Sequence, residues 1–65
     1  MSSATIRCCN KSLCLEGEIE KLSTIEKICC LVGATQPELG TFEIPDYWGD
    51  SAVNVFEYIW KHLNE

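Results

Sequence analysis

The chain has 65 residues, 46% of them hydrophobic, and six aromatics made up of two Trp, two Tyr and two Phe. A chain this short is one small domain: it cannot hold a multi-domain enzyme, a solenoid or a dinucleotide fold, and it is too apolar for a disordered acidic tail. Ten acidic against five basic residues give a net charge of −5, which disfavours direct binding to DNA, RNA or an anionic membrane, because phosphate is held by Lys and Arg.

Thr5–Cys9 and Ser12–Glu16 read as two short strands joined at Asn10-Lys11, a hairpin over residues 5–16. Leu13 and Leu15 share one face and Cys14 takes the other, the period of two expected of a strand. Asn10 suits the turn because Asn tolerates a left-handed backbone. Ser23-Thr24-Ile25-Glu26 has the form of a capping box and predicts a helix over residues 24–32. Ile25, Ile28, Cys29 and Val32 then fall on one apolar face, and Gly33 is placed to end the helix. Residues 33–50 read as loop, with Phe42 and Ile44 able to anchor a short extended piece. A second helix is expected over residues 51–63, capped by Asp50 or Ser51. Its buried stripe would be Ala52, Val55, Ile59 and Leu63, leaving Phe56 and Glu57 at the edge or outside. The expected architecture is α+β, a short N-terminal hairpin packed on two helices in a single domain.

The five cysteines are Cys8, Cys9, Cys14, Cys29 and Cys30. An odd number counts against a fully oxidised secreted scaffold. The N-terminal residues lack a basic region followed by an apolar run, and no stretch approaches the length of a membrane span. Reduced thiols and a cytoplasmic location are therefore expected. The spacing does not match the paired knuckles of common zinc sites, the single His62 is remote, and adjacent cysteines strain a shared tetrahedral ion. Cysteine as a small buried hydrophobe is the preferred reading, with no metal and no cofactor. Catalytic motifs are missing too: there is no phosphate-binding Gly-rich loop, no His-Glu-x-x-His and no nucleophile elbow. No enzyme activity is expected.

The information lies in the second half. Residues 34–65 carry Glu38, Glu43, Asp46, Asp50, Glu57 and Glu65 against Lys61 alone, so all the net charge sits there. Within PDYWGDSAVNVFEYIW, residues 45–60, Tyr47, Trp48, Phe56, Tyr58 and Trp60 alternate with Asp46, Asp50 and Glu57. Large rigid anchors beside carboxylates are the composition of an interface hot spot. Asp46, Tyr47, Trp48, Asp50, Phe56, Glu57 and Trp60 are the candidate partner-binding residues.

From Leu13 to about Leu63 the chain resembles barstar, the family of intracellular inhibitors of the ribonuclease barnase. The resemblance rests on a strand leading through Ser23 into a first helix, and on Pro45-Asp46-Tyr47-Trp48-Gly49 opening a second helix with Ala52, Val55 and Ile59 at its apolar positions. It implies that this turn and helix plug a nuclease active site. Tyr47 would pack on catalytic groups, Phe56 would follow it, and Glu57 would stand in for a substrate phosphate. Three features depart from the family: a longer loop between the helices, Val53 where a second binding carboxylate is usual, and Phe56 in place of Trp. The family pattern also continues with further strands and helices, so only its N-terminal half is covered.

The leading expectation is a small acidic protein that inhibits a basic-surfaced nucleic-acid enzyme by acid and aromatic mimicry of its substrate. It would be either a barstar-type ribonuclease inhibitor or a phage or antitoxin protein. The alternatives are a structural metal-binding module stapled by the five cysteines and a helical homodimer burying Trp48, Phe56 and Trp60.

Overall fold

The computed structural model describes residues 2–65. Strand β1 (Ser2–Cys8) and β2 (Lys11–Gly17) form an antiparallel hairpin, followed by helix α1 (Ile19–Leu31). Strands β3 (Thr35–Glu38) and β4 (Thr41–Glu43), a 3-10 turn (Asp46–Trp48) and helix α2 (Ser51–Leu63) complete the chain. The four strands make one sheet in the order β2-β1-β4-β3. The α+β architecture with an N-terminal hairpin is as the sequence predicts. The sheet is mixed: β4 lies parallel to β1, with Thr5, Ile6 and Arg7 opposite Thr41, Phe42 and Glu43.

The hairpin is longer than its apolar pattern, pairing Ser2 with Gly17 and Cys8 with Lys11. The turn is therefore Cys9-Asn10, one residue earlier than expected, and Cys9 takes the left-handed backbone at φ 57°. Along β1, Ala4, Ile6 and Cys8 point into the core, and Leu15 on β2 joins them. The opposite face stays polar, and there Arg7 on β1 pairs with Glu43 on β4 at 2.9 Å.

Both helices pack on one face of the sheet. Helix α1 starts at Ile19, so Ser23 and Thr24 lie inside it, and the Thr24 hydroxyl donates to the Glu20 carbonyl at 3.2 Å. No side chain caps the helix, because Glu18 occupies the capping position with no such bond. The five additional N-terminal residues bring Leu22 into the buried face with Ile25 and Cys29. The other end follows the sequence closely. Gly33, at φ 81°, donates its amide to the Cys30 carbonyl, and the Ala34 amide reaches back to Cys29. This pair of bonds is a Schellman motif, and it needs the positive φ that glycine reaches without a Cβ clash.

The segment expected as loop holds two strands. Phe42 in β4 and Ile44 just after it bury as expected, and the Thr5 amide to the Gly40 carbonyl and the Ile44 amide to the Arg7 carbonyl, each 2.7 Å, tie the segment to β1. Strand β3, Thr-Gln-Pro-Glu, is exposed throughout. It has no apolar alternation to signal a strand, and its Pro37 is tolerated because β3 is at the sheet edge.

Helix α2 has the expected limits but a different rotation. Val53 and Phe56 are buried, while Val55 is 56% exposed. Val53, Phe56, Trp60 and Leu63 follow the i, i+3, i+7, i+10 spacing of a single helix face. Seating this face buries the large Phe56 ring in place of a valine, which removes more apolar area from water. Trp60 is half-buried, with its indole over β2: a Cβ on Gly17 would stand 2.9 Å from Trp60 Cζ2. The core is one cluster shared by the sheet and both helices.

Candidate functional site

The 3-10 turn carries Asp46, Tyr47 and Trp48 across the C-terminal end of α1. Two side-chain bonds fix it there, from the Trp48 indole Nε1 to the Val32 carbonyl at 2.9 Å and from the Tyr47 hydroxyl to the same oxygen at 3.4 Å. Val32 is the residue that caps the C-terminal end of α1, so the aromatics satisfy a helix-end carbonyl while staying in view of solvent. Tyr47 is 78% exposed and Trp48 48%, with ring centroids 5.5 Å apart. Beside them an apolar groove of about 230 Å³ runs between the helices, lined by Ile28, Val32, Ile44, Trp48, Val55 and Ile59. Exposed Val55 forms its outer wall, and Leu31, also exposed, lies at the end of α1.

The seven residues singled out in the sequence do not form one surface. Tyr47 and Trp48 come together at the groove. Asp50 is exposed at the first turn of α2, where it takes the capping position without a side-chain cap bond. Glu57 is exposed, 3.8 Å from Lys61. At about 100° of rotation per residue, Glu57 lies about 200° from Val55, on the flank of α2 away from the groove. The neighbouring Asn54 faces β2, where its side-chain oxygen accepts from Lys11 Nζ at 3.4 Å. Phe56, expected at the edge, is 3% exposed and belongs to the core. Trp60 is committed to packing over Gly17. The rotation of α2 makes both corrections: a short amphipathic helix has one buried face, and its centre is at Phe56. Sequence reasoning placed Val55 in the core, so it missed this groove wall. The i, i+3, i+7 run through Val53 was the signal available.

Asp46 turns away from the groove, toward the hairpin tip. Its Oδ1 is 3.9 Å from Cys9 Sγ, and Cys9 Sγ is 3.5 Å from Cys8 Sγ. Burial, reinforced by Cys9, Asp46 and Asp50, pushes the Cys8 thiol up to about 11. The five cysteines are not assembled into one staple. All are free; Cys8 and Cys29 are buried, while Cys9, Cys14 and Cys30 are exposed. Burial, aided by Cys30 and Glu26, pushes the Cys29 thiol to about 12. Among the described residues no helix is long and apolar enough to cross a membrane. No protein-family model matches the chain, and no curated protein or solved structure is significantly similar to it.

Proposed function

We propose that this chain is a small cytoplasmic binding protein that docks on a protein partner with a basic surface and blocks it. The observation that carries the reading is the turn Asp46–Trp48. Two exposed aromatics are held rigidly by hydrogen bonds, beside an open apolar groove, with Asp46 and Asp50 close in sequence. Rigid aromatics lose little entropy on binding, and the acidic surplus of the chain, with Asp50 exposed at the start of α2, favours a cationic partner. A second copy of the chain would bring its own −5 charge, so charge favours an unlike partner over a homodimer. A nucleic-acid enzyme is the partner class that best fits an acidic face, because its substrate channel is already basic. The role is binding rather than catalysis.

The narrow form of this reading is a barstar-type ribonuclease inhibitor, resting on the resemblance of the Pro45–Gly49 turn. Adding an excess of the protein to a barnase-type ribonuclease tests it. Unchanged RNA cleavage would remove that form. For the broader form, the partner is captured from the native host, and its binding is compared between wild type, Trp48→Ala and Asp46→Asn/Asp50→Asn. Wild-type affinity in both variants would show that the turn is not the docking surface.

A further inference from the structure

We propose that Cys8, Cys9 and Asp46 form a binding site for a thiophilic divalent cation of the zinc type. The site joins the end of β1, the hairpin turn and the 3-10 turn, three pieces separated by up to 38 positions in the sequence. One ligand atom from each residue lies within 4.8 Å of the others, and no other such group occurs among the described residues.

The distances suit one ion. Zinc binds thiolate at about 2.3 Å, so the sulfur–sulfur edge of a tetrahedral site is about 3.8 Å and the sulfur–oxygen edge about 3.5 Å. Two of the three edges are 3.5 Å between Cys8 and Cys9 and 3.9 Å between Cys9 and Asp46, and the third, Cys8 to Asp46, lies within 4.8 Å. Adjacent cysteines in a regular strand point to opposite faces. Here Cys9 leaves the strand in a left-handed conformation, φ 57°, and its thiol returns to the side of Cys8. This removes the objection that neighbouring cysteines cannot share an ion.

The chemistry is consistent with the geometry. Two soft thiolates and one carboxylate select zinc-type ions over magnesium or calcium, which take oxygen ligands. Three protein ligands leave one coordination position, and all three residues line an open depression together with Arg7, Asn10, Lys11, Ser12 and Glu43. Arg7 is engaged with Glu43, and Lys11 reaches Asn54. Glu43 balances the charge of Arg7, so Lys11 is the lining cation that offsets part of the charge of two thiolates and a carboxylate. Asp46 and Asp50 also act on Cys8. Binding displaces the protons of both thiols, so affinity rises with pH.

The test is titration of the reduced protein with Co²⁺, followed by displacement with Zn²⁺. The expected result is one Co²⁺ per chain, with thiolate charge-transfer absorption in the near ultraviolet that Zn²⁺ abolishes. Affinity should rise about a hundredfold per pH unit near neutrality, one proton being released from each of the two thiols. Cys9→Ser and Asp46→Asn change exposed side chains and should keep the fold by circular dichroism while weakening Co²⁺ binding at least tenfold. Cys14→Ser and Cys30→Ser should bind as wild type. No charge-transfer band in wild type would overturn the site, as would full binding in Cys9→Ser or an equal loss in Cys30→Ser. Asp46 also belongs to the proposed docking turn, but Cys9 does not. Cys9→Ser therefore separates failure of the metal site from failure of the docking reading.

Discussion

Single side chains divide into those that hold the domain together and those that remain free. Phe56 is the clearest of the first kind. Truncating a buried phenylalanine costs about 3–5 kcal/mol, and a domain of this size has roughly that much stability in total. Phe56→Ala is therefore expected to lose its cooperative thermal transition by circular dichroism. A retained transition would mean that the ring is not in the core. Tyr47→Ala, at a site 78% exposed, should leave the midpoint within a few degrees of wild type and weaken partner binding. The buried thiols set a pH limit. Cys8 and Cys29 are raised from 9.0 to about 11 and about 12. A neutral thiol is favoured in the folded chain, so their contribution to stability is complete below pH 9. Above pH 9 the unfolded chain ionises first, and each thiol then removes stability as pH rises until its folded value is reached. Denaturant midpoints should therefore fall steeply above pH 9, and less steeply in Cys29→Ala when each protein is compared with its own midpoint at pH 8.

At the scale of elements, the end of α1 decides where the turn sits. Gly33 closes the helix, and the Val32 carbonyl beside it receives both Trp48 and Tyr47. Gly33→Ala forces a Cβ into a left-handed residue, at a cost of about 1–2 kcal/mol. In a domain of 60–100 residues this corresponds to a drop in Tm of very roughly 4–16 °C. The same variant should broaden the Trp48 indole NMR signal as the turn loosens. A sharp, unshifted indole resonance would separate the helix end from the docking turn. The capping box at Ser23 shows a local signal overruled: the motif is present, but the helix had already begun at Ile19 because Leu22 adds a further turn to the buried face. Strand β3 shows the converse, an element with almost no side-chain signal, held by backbone pairing to β4.

At the scale of the molecule, the net charge of −5 acts on association more than on fold. Steering toward a cationic partner accelerates encounter and is screened by salt. The association rate with the captured partner is expected to fall about tenfold or more between low and physiological ionic strength, with a smaller change in dissociation. A rate independent of salt would remove the charge argument, while leaving the apolar groove as the docking surface. The polar sheet face with the Arg7–Glu43 pair and the apolar groove between the helices are surfaces of different kinds. Of these two, the groove offers desolvation energy to a partner.

Local pattern was enough for the elements whose information is local. The alternation around Leu13–Leu15, the glycine after Val32 and the limits of α2 were legible because periodicity and capping act within a few residues. The α+β class followed from them. Tertiary structure decided what depends on distant partners. The parallel pairing of β4 with β1 is made by backbone bonds, which side-chain pattern does not encode. The rotation of α2 was settled by which face buries most area against the sheet and α1, and that choice put Phe56 inside and Val55 outside. The meeting of Cys8, Cys9 and Asp46 depended on a left-handed turn residue and on a second turn 37 residues away. Spacing along the chain carries no record of such a contact.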